Sequence, residues 1–335
     1  MNKNEIIGKV CNFDIYNDNG LLLLPKYTKI TYEHIEWLER HNITLSSEDV
    51  MIFDKPYYHK IVDEAVNESK AVFTEVRHTL QLPMALMEQN VLPAMSDITM
   101  DAHVIDLFIS LQAKDDYTYR HNIAVGTLAS LVGKWLKFSA EEIRELSMAG
   151  FLHDIGKMRI PETILNKPGQ LSDEEFAFMK KHTVFGYDII QTTEGTTERQ
   201  AIVALQHHER MDGSGYPNGL VRDEIDLYSR IISVVDVFHA MSSKRVYRDA
   251  SPFYEVLYEM NEESFGQLDP AITRLFIEKM MLSLIGHHVR LTDNQTASIV
   301  MIHKQDPIHP LIRIGDQFVD LSKDRTVHIK EVIGQ

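Results

Sequence analysis

The stretch His207-His208-Glu209-Arg210-Met211-Asp212-Gly213-Ser214-Gly215-Tyr216-Pro217 packs two imidazoles, a carboxylate and a Gly-Ser-Gly turn closed by Tyr-Pro into eleven residues. A buried scaffold has little use for so much ligand and loop chemistry. Its meaning depends on whether other parts of the chain supply partners for it.

The nearest such part upstream is His153-Asp154, at the end of the apolar run Leu146-Ser147-Met148-Ala149-Gly150-Phe151-Leu152. An adjacent imidazole and carboxylate on an apolar helix cost free energy to bury unless something satisfies both. Taken alone, the pair reads equally as a hydrogen-bonded core pair. Lys157 follows one turn later on the same face, where a cation can meet a phosphate oxygen. His121 opens an apolar helix after Tyr117-Thr118-Tyr119-Arg120, and His182 follows Lys180-Lys181. Each by itself is the kind of histidine found on a surface or in a core. Asp236 lies within Ile231-Ile232-Ser233-Val234-Val235-Asp236-Val237-Phe238, where a carboxylate needs a partner, either a metal or a polar group on another helix.

Together, five segments offer His121, His153, Asp154, His182, His207, His208 and Asp236. Nitrogen and oxygen donors without cysteine suit iron, manganese or zinc. The set exceeds what one tetrahedral ion needs. A carboxylate bridging two ions about 3.5–4 Å apart is the standard arrangement for phosphoester cleavage, because the pair makes hydroxide available near neutral pH and neutralises the phosphate.

Around this core, the chain divides by pattern. Residues 1–54 read as a small mixed α/β domain. A hairpin is predicted around Asn17-Asp18-Asn19-Gly20 and Leu21-Leu22-Leu23-Leu24. A helix capped by Thr31 follows, with glutamate completing the capping pattern, and then a strand at Asn42-Ile43-Thr44-Leu45. Residues 55–98 read as a helical connector with an apolar stripe (Ile61, Ala65, Val72, Val76, Leu80), interrupted at Pro83 and Pro93. Such a stripe fits a core or a homodimer seam. Residues 99–290 form the helical catalytic domain, with helical spacing over 104–113, 123–136, 141–152, 175–190, 199–207, 227–241 and 253–260. Residues 291–335 change to short strand-like runs and predict a small β appendage.

The net charge of −15 argues against broad binding to DNA or RNA, which requires a basic footprint. It leaves room for a small anion, since bound metals and a few arginines reverse the potential locally. No run of about 18 uncharged apolar residues predicts a membrane span. The first residues lack a signal-peptide pattern. The single cysteine, Cys11, cannot form an intrachain disulfide, which fits a cytoplasmic setting.

His153-Asp154 with Lys157, then His207-His208-Glu209 and Asp212-Gly213-Ser214-Gly215-Tyr216-Pro217, closely resembles the HD-GYP family, the branch of the HD phosphohydrolase superfamily that hydrolyses cyclic di-GMP in bacteria. The resemblance covers roughly residues 99–265. It implies an HD-superfamily helical domain with a two- or three-metal centre, commonly iron or manganese. His121, His153, Asp154, His182, His207, His208 and Asp236 match metal ligands, with Asp154 bridging. Three-metal members carry a glutamate four residues before the first histidine; here that position is Tyr117, which predicts two divalent ions unless Asp115 or Asp116 compensates. Lys157 matches the lysine on the scissile phosphate, Arg245 and Arg248 the residues that hold the dinucleotide phosphates, and Gly215 and Tyr216 the guanine-side wall. His239 departs from the pattern, which commonly has aspartate there, as do Lys244 and Val246 beside Arg245.

The resemblance therefore implies a phosphodiesterase converting cyclic di-GMP to linear pGpG, GMP or both by a metal-bridged hydroxide. The competing readings are a cyclic di-GMP sensor with little turnover and a phosphodiesterase for another cyclic dinucleotide such as cyclic GMP–AMP.

Overall fold

In the computed structural model the described residues are 6–11, 13, 15–17, 22–24, 30–51, 55–100, 104, 107, 111, 117–243, 251–263 and 266–334. The chain separates into two compact units, Met1–Tyr58 and His59–Gln335.

The first unit carries short antiparallel pairs around one helix. β1 (Val10–Cys11) pairs with β4 (Val50–Met51), and β2 (Ile15–Tyr16) with β3 (Leu22–Leu24), which is the predicted hairpin. Helix α1 (Tyr32–Arg40) starts where expected: the Thr31 hydroxyl accepts from His34 N–H. His34, not a glutamate, closes the capping box, its Nδ1 accepting from Thr31 N–H. The strand expected at 42–45 does not form. Asn42 adopts a left-handed φ of 59°, and the N–H groups of Asn42 and Ile43 donate back to Glu39 O and Leu38 O, so the start of the segment closes helix α1 instead of pairing as a strand. Ile15, Leu24, Ile35, Leu38, Leu45 and Val50 bury into a core of this unit's own.

The second unit is mainly helical. Helix α2 (Lys55–Thr79) buries Val62, Ala65, Val66, Val72, Phe73 and Val76 in the unit's core; of the predicted stripe, Ile61 is half-buried and Leu80, just past the helix, is exposed. Pro83 starts a single turn, and a π-turn at Met87–Val91 precedes α3 (Leu92–Met100). The wider turn lets Pro93, which has no N–H to donate, enter the helix without a full break. The chain continues with α4 (Tyr117–Trp135), α5 (Ala140–Leu152), α6 (Asp173–Met179), α7 (His182–Gln191), α8 (Glu198–Gln206), α9 (Leu227–Ser242), α10 (Phe253–Glu263) and α11 (Pro270–Leu282). Ser139, Ser172 and Thr197 cap α5, α6 and α8 with complete capping boxes. The helix expected over 175–190 divides into α6 and α7 at Lys180-Lys181, and that break sets His182 at a helix start.

The carboxy-terminal part is a five-stranded antiparallel sheet, β5 (His288–Leu291), β6 (Thr296–Met301), β7 (Leu311–Ile314), β8 (Gln317–Asp320) and β9 (Ile329–Gly334), in the order β8-β7-β6-β5-β9. Val289, Leu291, Ala297, Ile299 and Ile312 bury into the same core as the helices. Tyr254 on α10 donates its hydroxyl to Ile308 O at 2.6 Å, fastening the sheet's loop to the helices. Among the described residues no helix is long and apolar enough to cross a membrane.

Candidate metal centre

Three helix ends and two helix interiors deliver the ligand candidates to one point. His153 caps the end of α5, and Asp154 leads into the 3-10 turn Ile155–Arg159 that carries Lys157. His182 begins α7; His207 caps α8, with His208 next. His121 sits in the second turn of α4 and Asp236 in the middle of α9. His121, His153, Asp154, His182, His207 and Asp236 are all buried, and His208 is half-buried.

Helix ends are useful here because their last carbonyls lack intrahelical partners. His153 Nδ1 lies 2.6 Å from Gly150 O, His182 Nδ1 2.8 Å from Met179 O, and His207 Nδ1 3.0 Å from Ala204 O. A carbonyl can only accept. Each Nδ1 therefore carries the proton, and each Nε2 turns a lone pair toward the cluster.

Asp154 stands between two groups. On one side it lies with His182, His207 and His208, and on the other with His121 and His153. Oδ1 is 3.3 Å from His182 Nε2 and 3.8 Å from His207 Nε2; Oδ2 is 3.4 Å from His153 Nε2 and 3.9 Å from His121 Nε2. Asp236 Oδ1 joins the second side at 3.1 Å from His121 Nε2. Lys157 donates its ammonium to Asp154 Oδ2.

The donor set fits metal ions on this structure's own terms. Asp154 Oδ1 is buried with no hydrogen-bond partner. His182 Nε2 and His207 Nε2 face each other at 3.4 Å while both Nδ1 atoms are committed to carbonyls. Two lone pairs so placed repel unless a cation lies between them. The shared carboxylate gives the two groups of ligands one atom pair in common, as a bridged pair of ions requires.

Electrostatics agree with that assignment. Burial, reinforced by the Lys157 charge and only partly opposed by Asp154, holds the His182 imidazole down at about 4. Burial likewise keeps His207 and His208 well below their ordinary value and lowers His121. These shifts favour the neutral ring, the form in which an imidazole can bind a metal. His153 differs: burial pulls it down, but Asp154 and Asp236 outweigh burial and raise it. Burial would raise both carboxyls, yet Lys157 and His153 hold Asp154, and His121 holds Asp236, well below the carboxylate range.

The loop after His208 is held against the site by two devices. Tyr216 stacks on His208, ring centroids 4.7 Å apart and 30° between planes, and its N–H donates to His208 O. A Cβ on Gly215 would lie 2.5 Å from both Glu209 Cα and His208 O, so only glycine lets the loop lie this close. Glu209 is not placed as a ligand. It is buried and accepts N–H groups of Asn218 at 2.7 Å and Leu220 at 3.0 Å, clamping the loop.

All seven expected ligands thus converge, with Lys157, Gly215 and Tyr216 beside them. Arg245, Arg248, Asp115 and Asp116 lie outside the described residues. Tyr117 stacks flat on His121, centroids 5.4 Å apart. Sequence reasoning missed the loop-clamping role of Glu209, the helix-end carbonyls, and Gly156, whose bare backbone meets α7 at His182 and Gly186.

A family profile described as an HD domain matches residues 106–272. The chain is 34% identical over 206 residues to a cyclic di-GMP phosphodiesterase of Pseudomonas aeruginosa, covering 62% of this chain and 50% of the relative. It is 39% identical over 166 residues to a cyclic di-GMP phosphodiesterase of Thermotoga maritima, covering 49% and 45%. It is also 38% identical over 182 residues to a 3'3'-cGAMP-specific phosphodiesterase of Vibrio cholerae, covering 53% and 40%. The chain spans half or less of the length of these relatives. In fold it is similar to an HDG"Y"P protein from Bdellovibrio bacteriovorus, with a TM-score of 0.55 at 16% identity, over 81% of this chain and 93% of that one.

Proposed function

We propose that this chain, whose residues 106–272 match an HD domain, is a metal-dependent phosphodiesterase of the HD-GYP family that converts cyclic di-GMP to linear pGpG, GMP or both. The observation that carries the reading is the Asp154 carboxylate shared between His182, His207 and His208 on one side and His121 and His153 on the other. We assign two ions, because the ligands form two groups and Tyr117 offers no carboxylate for a third. We assign iron or manganese on the family resemblance; imidazole and carboxylate donors without thiolate accommodate either. A cytoplasmic setting follows from a nucleotide substrate and a chain with one cysteine.

When bound, the ions supply an activated water and charge neutralisation at the phosphate. The chain's own residues do the rest. His153, His182 and His207 present Nε2 lone pairs in fixed directions because their Nδ1 protons are held by carbonyls. Lys157, a quarter exposed on its 3-10 turn, presents its ammonium both to Asp154 and to the open side of the site, where it stabilises negative charge on a phosphoryl oxygen. Tyr216, braced on His208, walls the site and positions the nucleotide. Arg245 and Arg248 are assigned to the phosphates from the sequence resemblance.

The test is incubation of iron- or manganese-loaded protein with cyclic di-GMP, followed by chromatographic separation of products, with Asp154→Asn as control. Linear dinucleotide or GMP, absent in the variant, is the expected result. Binding without product refutes the enzyme reading in favour of a sensor. A second reading, 3'3'-cGAMP as substrate, is favoured by the similarity to the Vibrio cholerae enzyme. Faster turnover of cGAMP than of cyclic di-GMP in the same assay would select it.

A further inference from the structure

We propose that His239 is a positioning residue for the metal centre: it fixes the tautomer and ring orientation of His121, and so governs loading of the ion on the His121–His153 side. The inference rests on reading the cluster as a metal centre.

The carbonyl that orients each of His153, His182 and His207 lies three residues before it, within its own stretch of chain. His121 is built differently. Its Nδ1 faces His239 Nδ1 at 3.0 Å, across from α4 to α9. Both rings are buried, His239 completely. His239 lies three residues after Asp236 on α9, so one helix face presents both a ligand and the orienting group. Tyr117 covers the flat side of His121 and limits its rotation.

Proton inventory assigns the direction of the bond. His121 Nε2 points to His153 Nε2 at 3.3 Å and to Asp236 Oδ1 at 3.1 Å. To serve as a ligand there, Nε2 must hold the lone pair, so Nδ1 carries the proton and donates to His239 Nδ1. His239 then carries its own proton on Nε2, where Leu111 O lies at 3.4 Å and Ser243 Oγ at 3.3 Å. Partners that orient a ligating imidazole typically change metal affinity by about 10–100-fold when removed.

The test compares wild type, H239L and H239N, each stripped of metal and titrated with Mn²⁺ while bound and free ion are counted by electron paramagnetic resonance. Asparagine places Oδ1 where the histidine has Nδ1, so it restores the acceptor; leucine does not. Wild type is expected to bind two ions. H239L should keep one at near wild-type affinity and bind the other about 10–100-fold more weakly, with H239N returning toward wild type. Equal affinity for both ions in H239L and wild type overturns the inference and leaves the metal centre intact. A wild-type chain that binds no ion overturns both. Should H239L not fold, selective ¹⁵N-histidine spectra of zinc-loaded wild type decide: His121 protonated at Nδ1 supports the assignment, and His121 protonated at Nε2 refutes it.

Discussion

Gly156→Ala should fold and yet bind fewer metal ions than wild type. Gly156 lies in the 3-10 turn just after Asp154, where it crosses the start of α7. A Cβ there would overlap His182 O and Gly186 N, and would stand 2.9 Å from Gly186 Cα. All three neighbours are backbone, so no side chain can swing away. Even the mildest of these contacts needs about 0.6 Å more room to reach ordinary carbon–carbon separation. The gap opens between the turn that carries Asp154 and the helix that starts with His182, so it adds to the 3.3 Å between Asp154 Oδ1 and His182 Nε2. Metal–ligand distances tolerate only about ±0.2 Å. Overpacking of this kind costs about 1–3 kcal/mol of stability, which a domain of this size survives. The expected result is a folded variant, with a melting temperature lowered by several degrees, that binds fewer ions than wild type. Turnover should fall by about 100-fold, the typical effect of a displacement near 1 Å. Metal analysis beside a melting curve checks it. A variant with wild-type metal content and rate would show that the Gly156 crossing does not set the Asp154–His182 geometry.

Other perturbations separate the parts of the site. Glu209→Ala removes a charged acceptor from the N–H groups of Asn218 and Leu220; it should cost about 2–3 kcal/mol, leave metal titration unchanged, and speed hydrogen exchange across 212–220. Unchanged exchange there would refute the clamp. Asp154→Asn should abolish binding of both ions, not one, because its two oxygens face separate histidine groups; retention of a single tight ion would refute bridging. The metal-free protein should weaken as pH falls from 6.5 toward 4. In that window an unfolded His182 binds a proton that the folded ring, held at about 4, does not. Stability is therefore present above the unfolded value and lost on acidification, by roughly 2 kcal/mol at pH 5 from this residue. His153, which is raised, opposes it, while His207, His208 and His121 act in the same direction. Urea midpoints at pH 7.5 and 5 measure the net sign, and an acid-stabilised apoprotein would contradict it.

The candidate site was legible in the sequence because the side chains that converge there are unusual residues in apolar company. Asp236 inside an aliphatic helix and His153-Asp154 after Phe151-Leu152 both announce a partner by their neighbours alone. The groups that orient them were not legible. Gly150 O, Met179 O and Ala204 O are backbone atoms, and any residue at those positions would supply the same carbonyl. Gly156 and His239 left signals that were readable but ambiguous. A glycine in a helical run marks either a cap or a close approach, and a histidine three residues from a ligand shares its face without revealing what it touches. The errors in the fold are local for similar reasons. The break at Lys180-Lys181 interrupts a continuous apolar period, and the 42–45 segment has strand-like residues whose first backbone groups are spent on closing helix α1.

The centre works against the fold that holds it. Imidazole lone pairs meet at 3.4 Å, Asp154 keeps a buried oxygen without a hydrogen bond, and burial disfavours charge on all five histidines, prevailing at four of them. Among the described residues, the Asp154 and Asp236 carboxylates offset these costs only in part where they arise. The rest is offset from outside that point, by the aliphatic core along α4, α5, α8 and α9 and by the helix-end carbonyls that prevent the rings from turning away. A free imidazole would rotate to bond with water or a neighbour, and the site would relax into an ordinary polar core. Held as they are, the rings keep an arrangement that only a cation makes favourable. Metal affinity and strain in the metal-free state are therefore one quantity seen from two sides, and any change that lets a single ring turn should stabilise the apoprotein while weakening the ion.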